Sequence, residues 1–213
     1  MYFCTVKRKK DINMKHTETP MRTFDLMDNK RHLGLYLNYI DGQSHDMTVS
    51  VAEMRHTALG ISYAMLRRGI GRSERVAIVS KGRTECAAIT LGLMQIGATP
   101  ILLDKNLTAE QYIALLGEVR MLIVEDERVY QRFRLILPQL ASLRWIASIE
   151  TVSEVTTIAE LVDDGHRHTD NVSLTRRMSL ATTDDVCLCT WTGGLRCNPI
   201  SHKALIQCLF NNE

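Results

Sequence analysis

The strongest candidate for chemistry in this sequence is a short run rich in threonine and glycine, Thr190-Trp-Thr-Gly-Gly-Leu-Arg196. Hydroxyl side chains and consecutive glycines at the end of a strand expose several backbone N–H groups in a concave turn, which suits a polyphosphate. The terminal guanidinium can bind a phosphate through two parallel hydrogen bonds. The spacing is not that of a Walker loop, so an ordinary turn is the alternative. The predicted phosphate-binding residues are Thr190, Thr192, Gly193, Gly194 and Arg196.

Cysteine and histidine residues near the same run suggest two further chemistries. Cys187, Cys189, Cys197, Cys208 and His202 could supply zinc ligands, but their gaps do not match the usual zinc knuckles. We expect Cys187 and Cys189 to share one face of a strand and to pack there as small apolar groups. Cys197 and His202 could form a nucleophile and base, although nothing supplies a third, orienting group. The sequence therefore assigns no catalytic residue and no metal ligand.

A second polar cluster, His166-Arg167-His168, lies beside Asp163, Asp164 and Asp170. Its nearly balanced charges are typical of a solvated loop, and a general-base or ligand role is the alternative. We therefore predict a loop here.

The overall composition limits the classes of protein that need to be considered. The chain has 213 residues, of which 45% are hydrophobic and 23% charged, so a disordered or low-complexity protein is excluded. A net charge of +2 gives no field for capturing nucleic acid, and we expect no nucleic-acid partner. No apolar run approaches the roughly 18 residues of a membrane span, and the start lacks a signal-peptide pattern. These features predict a cytoplasmic protein, and the basic run Lys7–Lys10 leaves weak contact with a membrane surface open.

Hydrophobic periodicity indicates alternating strands and helices. A helix is predicted from Val51, with apolar residues at steps of three and four, ending at Gly69. A capping box at Thr108 predicts the start of another helix. The remaining helices are predicted over 85–96, 128–137 and 157–162 and from Ser201. Short apolar runs predict strands over Leu33–Ile40, Met47–Val51, Arg75–Ser80, Thr99–Leu103, Met121–Val124, Leu143–Ile149 and Asp185–Thr190.

This alternation predicts the fold class. Strands separated by helices pair in parallel through right-handed crossovers, so the expected class is α/β, with a mostly parallel sheet and flanking helices.

Four segments in the same order resemble the N-terminal part of the adenylate-forming superfamily, which includes acyl-CoA synthetases, adenylation domains of peptide synthetases and luciferase-like enzymes. Thr48-Val-Ser-Val-Ala-Glu53 is similar to the family's Thr-Tyr-x-Glu-Leu stretch, and the segment 68–80 to its Gly-Ile-x-x-Gly-Asp-x-Val-Ala-Ile run. The segment 91–104 resembles the family's Leu-Gly-x-x-x-x-Gly-Ala-x-x-Val-Pro-Ile-Asp pattern. The segment 185–202 stands where the family has its phosphate loop and a following Ser-His.

The resemblance implies ATP-dependent activation of a small-molecule carboxylate to an acyl-adenylate, followed by transfer to a thiol such as coenzyme A. ATP and Mg²⁺ are the implied cofactors, and the threonines and glycines of the run would hold the β- and γ-phosphates. Arg196 is the nearest counterpart of the loop lysine. The implied organisation is a polar leader over 1–22 and an incomplete N-terminal AMP-binding domain over 23–213.

This sequence departs from the family pattern in the loop itself, which is shorter and carries Leu-Arg-Cys in place of Pro-Lys-Gly. The family's downstream adenine-, ribose- and carboxylate-binding segments are not among the 213 residues. We therefore expect weak or absent ATP binding, no adenylation by this chain alone, and self-association through exposed apolar surface. The alternatives are a degenerate, non-catalytic relative with a binding or regulatory role, a decayed gene product, and a generic α/β nucleotide-binding module.

Overall fold

The computed structural model describes residues 21–41, 50–80, 83–191 and 193–210. Most of the predicted leader lies outside these residues, as does the first part of the predicted strand Met47–Val51. Of that strand, Ser50 is the cap of a helix and Val51 is its first residue.

Within the described residues, helices and strands alternate along the chain. The α-helices are α1 Lys30–Asp41, α2 Val51–Arg67, α3 Thr84–Gln95, α4 Ala109–Leu116, α5 Glu127–Arg134, α6 Ile158–Arg167, α7 Asn171–Leu180 and α8 His202–Phe210. The strands are β1 Arg75–Val79, β2 Thr99–Leu103, β3 Val119–Val124, β4 Trp145–Ser148, β5 Thr156–Thr157, β6 Val186–Trp191 and β7 Cys197–Ser201. Short 3-10 helices cover Thr23–Asp28 and Leu137–Gln139.

One sheet joins all seven strands in the order β5-β4-β3-β1-β2-β6-β7. The strands from β5 to β6 are parallel, and β7 pairs antiparallel with β6. The first five strands follow a doubly wound order whose direction reverses between β1 and β3, which is the point where such sheets open a crevice at their carboxyl edge. The predicted α/β class with a mostly parallel sheet is confirmed.

Helices cover both faces of the sheet because its strands are apolar on both sides. In β1, Val76 and Ile78 pack into a cluster with α2, α3 and α6, while Ala77 and Val79 pack against α4 and α5. All four of these side chains are buried. A strand that is buried on both faces is apolar along most of its length, so short apolar runs in the sequence indicate such strands. The predictions of β1, β2 and β3 from their apolar runs are confirmed.

Capping residues fix where helices begin. The Thr108 hydroxyl accepts a hydrogen bond from the Gln111 backbone N–H at 3.3 Å, and the Gln111 side chain accepts one from the Thr108 N–H at 2.9 Å. This reciprocal pair satisfies two donors that the first turn of α4 leaves without intrahelical partners. The predicted start of this helix is confirmed.

The prediction of an extended segment over Leu33–Ile40 is wrong, because these residues belong to α1. Leu33, Tyr36 and Leu37 are buried at helical spacing, and the Tyr36 hydroxyl hydrogen-bonds to the Thr90 hydroxyl of α3 at 2.7 Å. Long-range packing against α3 therefore decides the conformation of this segment, which local propensity leaves ambiguous.

The predicted loop around His166-Arg167-His168 is also wrong, because α6 continues to Arg167 and α7 follows almost at once. Gly165 lies against α2 so closely that a Cβ placed on it would be 1.9 Å from the Gly60 carbonyl oxygen. This close contact stabilises a helical turn whose own residues are poor helix formers. At the start of α7 the Asp170 carboxylate accepts a hydrogen bond from the Ser173 N–H at 2.9 Å.

Candidate functional site

The threonine- and glycine-rich run lies in a hairpin between β6 and β7. Strand β6 is parallel to β2, with Ile101 opposite Cys189 and Leu102 opposite Thr190. Its last residue, Trp191, pairs with Cys197 of β7. The connection therefore lies at the edge of the sheet where the parallel strands have their carboxyl ends, and the structure describes its residues 193–196. We call these residues the hairpin loop.

The backbone of the hairpin loop is open to solvent. Gly193 has φ 131° and Gly194 has φ 72°, values at which an L-residue is strained, and a Cβ on either would meet nothing within 4 Å. The Trp191 indole N–H donates a hydrogen bond to the Gly194 carbonyl at 3.0 Å and so fixes the end of the loop to the strand. Leu195 is 52% exposed.

Four of the five predicted phosphate-binding residues lie on this hairpin, and Thr192 falls outside the described residues. Thr190 is half-buried in β6, between Leu102 of β2 and Asn198 of β7. Arg196 is exposed immediately before β7. A positively charged side chain and an accessible glycine backbone at a carboxyl edge form an arrangement able to bind an anion.

A second polar cluster lies at the same edge, at the reversal between β1 and β3. The Glu125 carboxylate, 9% exposed, accepts hydrogen bonds from the Ser80 hydroxyl at 2.9 Å and from the Lys105 ammonium at 3.0 Å. These residues follow β3, β1 and β2, respectively. Sequence reasoning missed them, although a carboxylate directly after a buried apolar strand is a signal that could have indicated the cluster.

The connection after β2 is held close to this cluster by hydrogen bonds to its backbone. The Tyr112 hydroxyl donates to the Asp104 carbonyl at 2.9 Å, and the Arg132 guanidinium donates to the Lys105 carbonyl and to the Leu107 carbonyl. Burial raises the pKa of Tyr112 to about 12, so its hydroxyl stays protonated as a donor. Lys105 is thereby presented at a fixed place on the edge.

His202 lies at the opposite end of β7 from the hairpin loop. Its backbone N–H donates to the carbonyl of Asp185, which immediately precedes β6, so the length of a strand, about 17–20 Å, separates it from the loop. Its Nδ1 accepts a hydrogen bond from the Thr23 backbone N–H at 3.0 Å, and its ring packs edge-on against Phe24. Burial lowers the pKa of His202 to about 4, so the ring is neutral and helps to hold the segment before α1 against α8.

Cys187, Cys189 and Cys197 do not form a common site with His202. A bulge at Cys187 shifts the register of β6, so Cys187 packs on the face of α1 and α8 while Cys189 packs on the face of α4. The expectation that the two thiols share one face is therefore wrong. Cys197 begins β7 and His202 follows its end, so they are not a nucleophile and base. Burial also raises the pKa of Cys197 to about 11, which keeps the thiol protonated.

No group of three or more His, Cys, Asp or Glu side chains in the described ranges is arranged to hold a metal ion. Among the same residues, no helix combines the length and apolar character needed to cross a bilayer.

Fold and site together define a doubly wound α/β protein with an anion-accessible hairpin at the carboxyl edge of its sheet. The profile of the family described as AMP-binding enzyme matches residues 34–205, which include every strand and the hairpin loop. The chain belongs to the AMP-binding enzyme family.

Individual relatives are similar over different extents. A 4-hydroxybenzoate–CoA/benzoate–CoA ligase from Rhodopseudomonas palustris is 30% identical over 86 residues, which are 40% of this chain and 15% of that protein. The anthranilate CoA ligase AuaEII, solved with anthranoyl-AMP, matches 89% of this chain and 36% of its own, with 17% identity and a TM-score of 0.68. A luciferase-like enzyme from the mealworm Zophobas morio matches 94% and 46%, with 16% identity and a TM-score of 0.67. The chain thus spans less than half the length of each of these proteins.

Proposed function

We propose that residues 23–213 form the N-terminal part of an ATP-dependent acid–thiol ligase and that the hairpin loop contributes to its phosphate site. The observation that carries this proposal is the position of the loop: the family match continues through an exposed, glycine-rich hairpin at the carboxyl edge of the sheet. Ligands of open α/β sheets bind at that edge.

The proposed roles follow from the hydrogen-bonding groups of each residue. The backbone N–H groups of Gly193 and Gly194, with the hydroxyls of Thr190 and Thr192, donate to the β- and γ-phosphate oxygens of ATP. Arg196 adds a charge-assisted contact that strengthens as negative charge develops on the departing pyrophosphate. The run 190–196 contains no carboxylate, so Mg²⁺ would be held mainly by the nucleotide and would neutralise its phosphate charge.

The proposed reaction has two steps. A small-molecule carboxylate attacks the α-phosphate of ATP to give an acyl-adenylate and pyrophosphate, and the acyl group then passes to coenzyme A to give a thioester and AMP. Relatives described as benzoate–CoA and anthranilate CoA ligases support this class of substrate. We propose a cytoplasmic location for the protein, with the basic run Lys7–Lys10 as a peripheral membrane contact.

For the 213-residue chain by itself we propose weak nucleotide binding and no adenylation. The loop is shorter than the family pattern, and Leu-Arg-Cys over 195–197 stands where the family has Pro-Lys-Gly. Exchange of radiolabelled pyrophosphate into ATP, with benzoate and with a fatty acid, is expected to equal that of a heat-killed control. Exchange above that control would contradict the proposed inactivity.

Binding of Mg·ATP to the loop is tested by thermal unfolding with and without the nucleotide. Wild-type protein should show a small upward shift, because a ligand that binds the folded state alone stabilises it. Gly193→Asp and Arg196→Ala should abolish the shift. Gly69→Asp is the matched control, since Gly69 is also an exposed glycine with positive φ and nothing within 4 Å, at the other edge of the sheet.

The thermal shifts of these variants distinguish a phosphate-binding loop from the loop of a degenerate, non-catalytic relative. A shift that Gly69→Asp keeps and Gly193→Asp loses supports a phosphate-binding loop. No shift in the wild type, or an equal shift in Gly193→Asp, would favour a degenerate, non-catalytic relative. That alternative is supported by two exposed apolar side chains, Val186 at the start of β6 and Leu195 in the hairpin loop, which suit self-association. Sedimentation of the chain as a dimer would support that role, and a monomer at all concentrations would oppose it.

A further inference from the structure

A groove lined by three arginines lies away from the hairpin loop. It has a volume of about 680 Å³ and runs between the end of α2 and α7. Arg72, three residues before β1, donates a hydrogen bond to the carbonyl of Leu180, the last residue of α7. The groove is therefore on the amino side of the sheet, and a strand length of about 17–20 Å separates it from the proposed nucleotide site. We call it the arginine groove.

The charged lining of the arginine groove is predominantly positive. Arg67, Arg176 and Arg177 line it together with one carboxylate, Asp170, and these four side chains have a formal charge of +2, of which the ion pair of Arg67 with Asp164 offsets one. The Asp170 carboxylate also accepts the capping hydrogen bond from Ser173 at the start of α7, and this bond lowers the pKa of Asp170. Its charge is thus partly offset by the helix that it caps.

The arginines differ in how they are held. The Arg67 guanidinium is fixed by an ion pair with Asp164 and by a contact of 3.0 Å with His168 Nδ1. Arg176 and Arg177 make no hydrogen bond or ion pair through their guanidinium groups among the residues that the structure describes. Arg177 does lie near enough to Glu74 to contribute to the lowered pKa of that carboxyl. Two guanidinium groups are therefore available to a ligand beside a third that is already oriented.

One wall of the arginine groove is apolar. It is formed by the ring of Tyr63 and the side chains of Leu66 and Leu180, the last of them 52% exposed. The Tyr63 hydroxyl donates to the Asn171 side chain at 2.5 Å, which holds the ring in place across the gap between α2 and α7. An aromatic face and a leucine pair suit a flat or aliphatic group of a ligand.

We propose that the arginine groove binds a small phosphate monoester that carries an apolar or aromatic group. A phosphate monoester has a charge of about −1.5 to −2 at neutral pH, which complements the lining charge. Guanidinium groups bind its oxygens in a bidentate manner, and the volume lies within the roughly 300–1,000 Å³ range of small-molecule sites. The proposal is independent of the ligase function, because it uses the opposite edge of the sheet.

Calorimetric titration of the full 213-residue chain with phenyl phosphate tests the proposal. Saturable binding is expected, with inorganic phosphate weaker because it lacks the ring and phenol not binding because it lacks the charge. Arg176→Ala should weaken phenyl phosphate binding by about tenfold, the usual effect of losing one hydrogen bond to a charged group. Because Arg176 is exposed and its guanidinium has no partner in the described residues, this variant should melt like the wild type.

Two control variants make the result specific. Arg134→Ala removes an exposed arginine from α5, on the other face of the sheet, and should leave the affinity unchanged. Arg196→Ala removes the arginine of the hairpin loop and should also leave it unchanged. Equal affinity in Arg176→Ala and wild type, loss of binding in Arg196→Ala alone, or no binding by the wild type would overturn the proposal.

The phosphate monoester could be a soluble metabolite or the headgroup of a lipid. Sedimentation with phosphatidylcholine vesicles containing phosphatidic acid distinguishes these sources. Co-sedimentation that Arg176→Ala loses would assign the phosphate to a lipid headgroup. Binding of phenyl phosphate without co-sedimentation would assign it to a soluble ester, and both results agree with the proposed chemistry.

Discussion

The close contact between α2 and α6 predicts that Gly165→Ala destabilises the protein. A Cβ at position 165 would lie 1.9 Å from the Gly60 carbonyl oxygen, whereas ordinary contact begins at 3.4 Å. The two helices would have to separate by about the 1.5 Å difference between these two distances. A gap of 0.5–1 Å already removes about a quarter to a half of the dispersion energy of the atoms that face it.

The expected change in the free energy of unfolding follows from two opposing contributions. Overpacking in a close-packed site typically lowers the free energy of unfolding by about 1–3 kcal/mol. Because Gly165→Ala would separate two buried helices, we expect a loss at or above the upper end of this range. Alanine is favoured over glycine inside a helix by about 1 kcal/mol, which offsets part of the loss. We expect the free energy of unfolding to fall by about 2–3 kcal/mol, with a lower urea midpoint and little change in the slope of the transition.

Urea unfolding followed by circular dichroism measures this change, and Gly117→Ala is the matched control. Gly117 ends α4 with φ −55° and ψ −29°, and a Cβ placed on it would be 3.8 Å from its nearest neighbour, the Ile113 carbonyl oxygen. Alanine fits there without strain, so the control should be neutral or more stable by about 0.4–1 kcal/mol. A Gly165→Ala protein as stable as the wild type would show that the helices do not cross at this distance.

Three further predictions concern buried hydrogen bonds, proton binding and capping. Tyr36→Phe removes the hydrogen bond to the Thr90 hydroxyl and should lower the free energy of unfolding by about 1 kcal/mol; an unchanged urea midpoint would contradict the contact. The folded-state pKa of His202 is about 4 against an ordinary 6.5, so the unfolded state binds more protons between these values. Stability should therefore fall as the pH drops from 6.5 to 4, by up to about 3 kcal/mol, and His202→Asn, which keeps an acceptor for the Thr23 N–H, should remove that part of the pH dependence. If wild type and His202→Asn lose stability in parallel over this range, the ring is not buried in its neutral form. Thr108→Ala removes the cap of α4 and should cost about 1 kcal/mol, whereas Thr108→Ser should cost little; equal losses would show that the hydroxyl does not cap.

The central strands were predictable because a strand that is buried on both faces has consecutive apolar residues. The strand Thr99–Leu103 ends in the β-prone apolar run 101–103, with its proline near the start, and the predicted and observed bounds agree. The segment Leu33–Ile40 was not predictable in the same way, since its leucines and tyrosines suit either a strand or a helix. Its conformation depends on contacts with α3, more than 50 residues away in sequence.

Strand β7 was missed because its sequence looks unsuited to a sheet. Pro199 cannot donate to a ladder, and it is accommodated because β7 is the last of the described strands at its side of the sheet and pairs, among them, with β6 alone. The bulge at Cys187 could not be predicted either, because a one-residue shift in register does not depend on a recognisable residue type.

The candidate site was predictable only where neighbouring residues form it. The hairpin loop is contiguous in sequence, so its glycines and arginine could be identified together. The Glu125 cluster joins residues that follow three different strands and meet only when the sheet reverses direction between β1 and β3. The arginine groove likewise needs the junction of α2 with two helices that the sequence did not indicate in full.

The bond between the Trp191 indole and Gly194 gives the hairpin loop an optical signal of its own. The sequence has two tryptophans, and the other, Trp145, is 44% exposed in β4, with a guanidinium over its ring. Three strands lie between β4 and β6, so the two strands are about 19 Å apart at the usual strand spacing. A ligand that displaces the Gly194 carbonyl from the Trp191 indole would change the fluorescence emission of Trp191. The emission of Trp145 would stay unchanged and serve as an internal reference. Trp145→Phe would then isolate the emission of the loop and make occupancy of the candidate phosphate site readable in a fluorimeter.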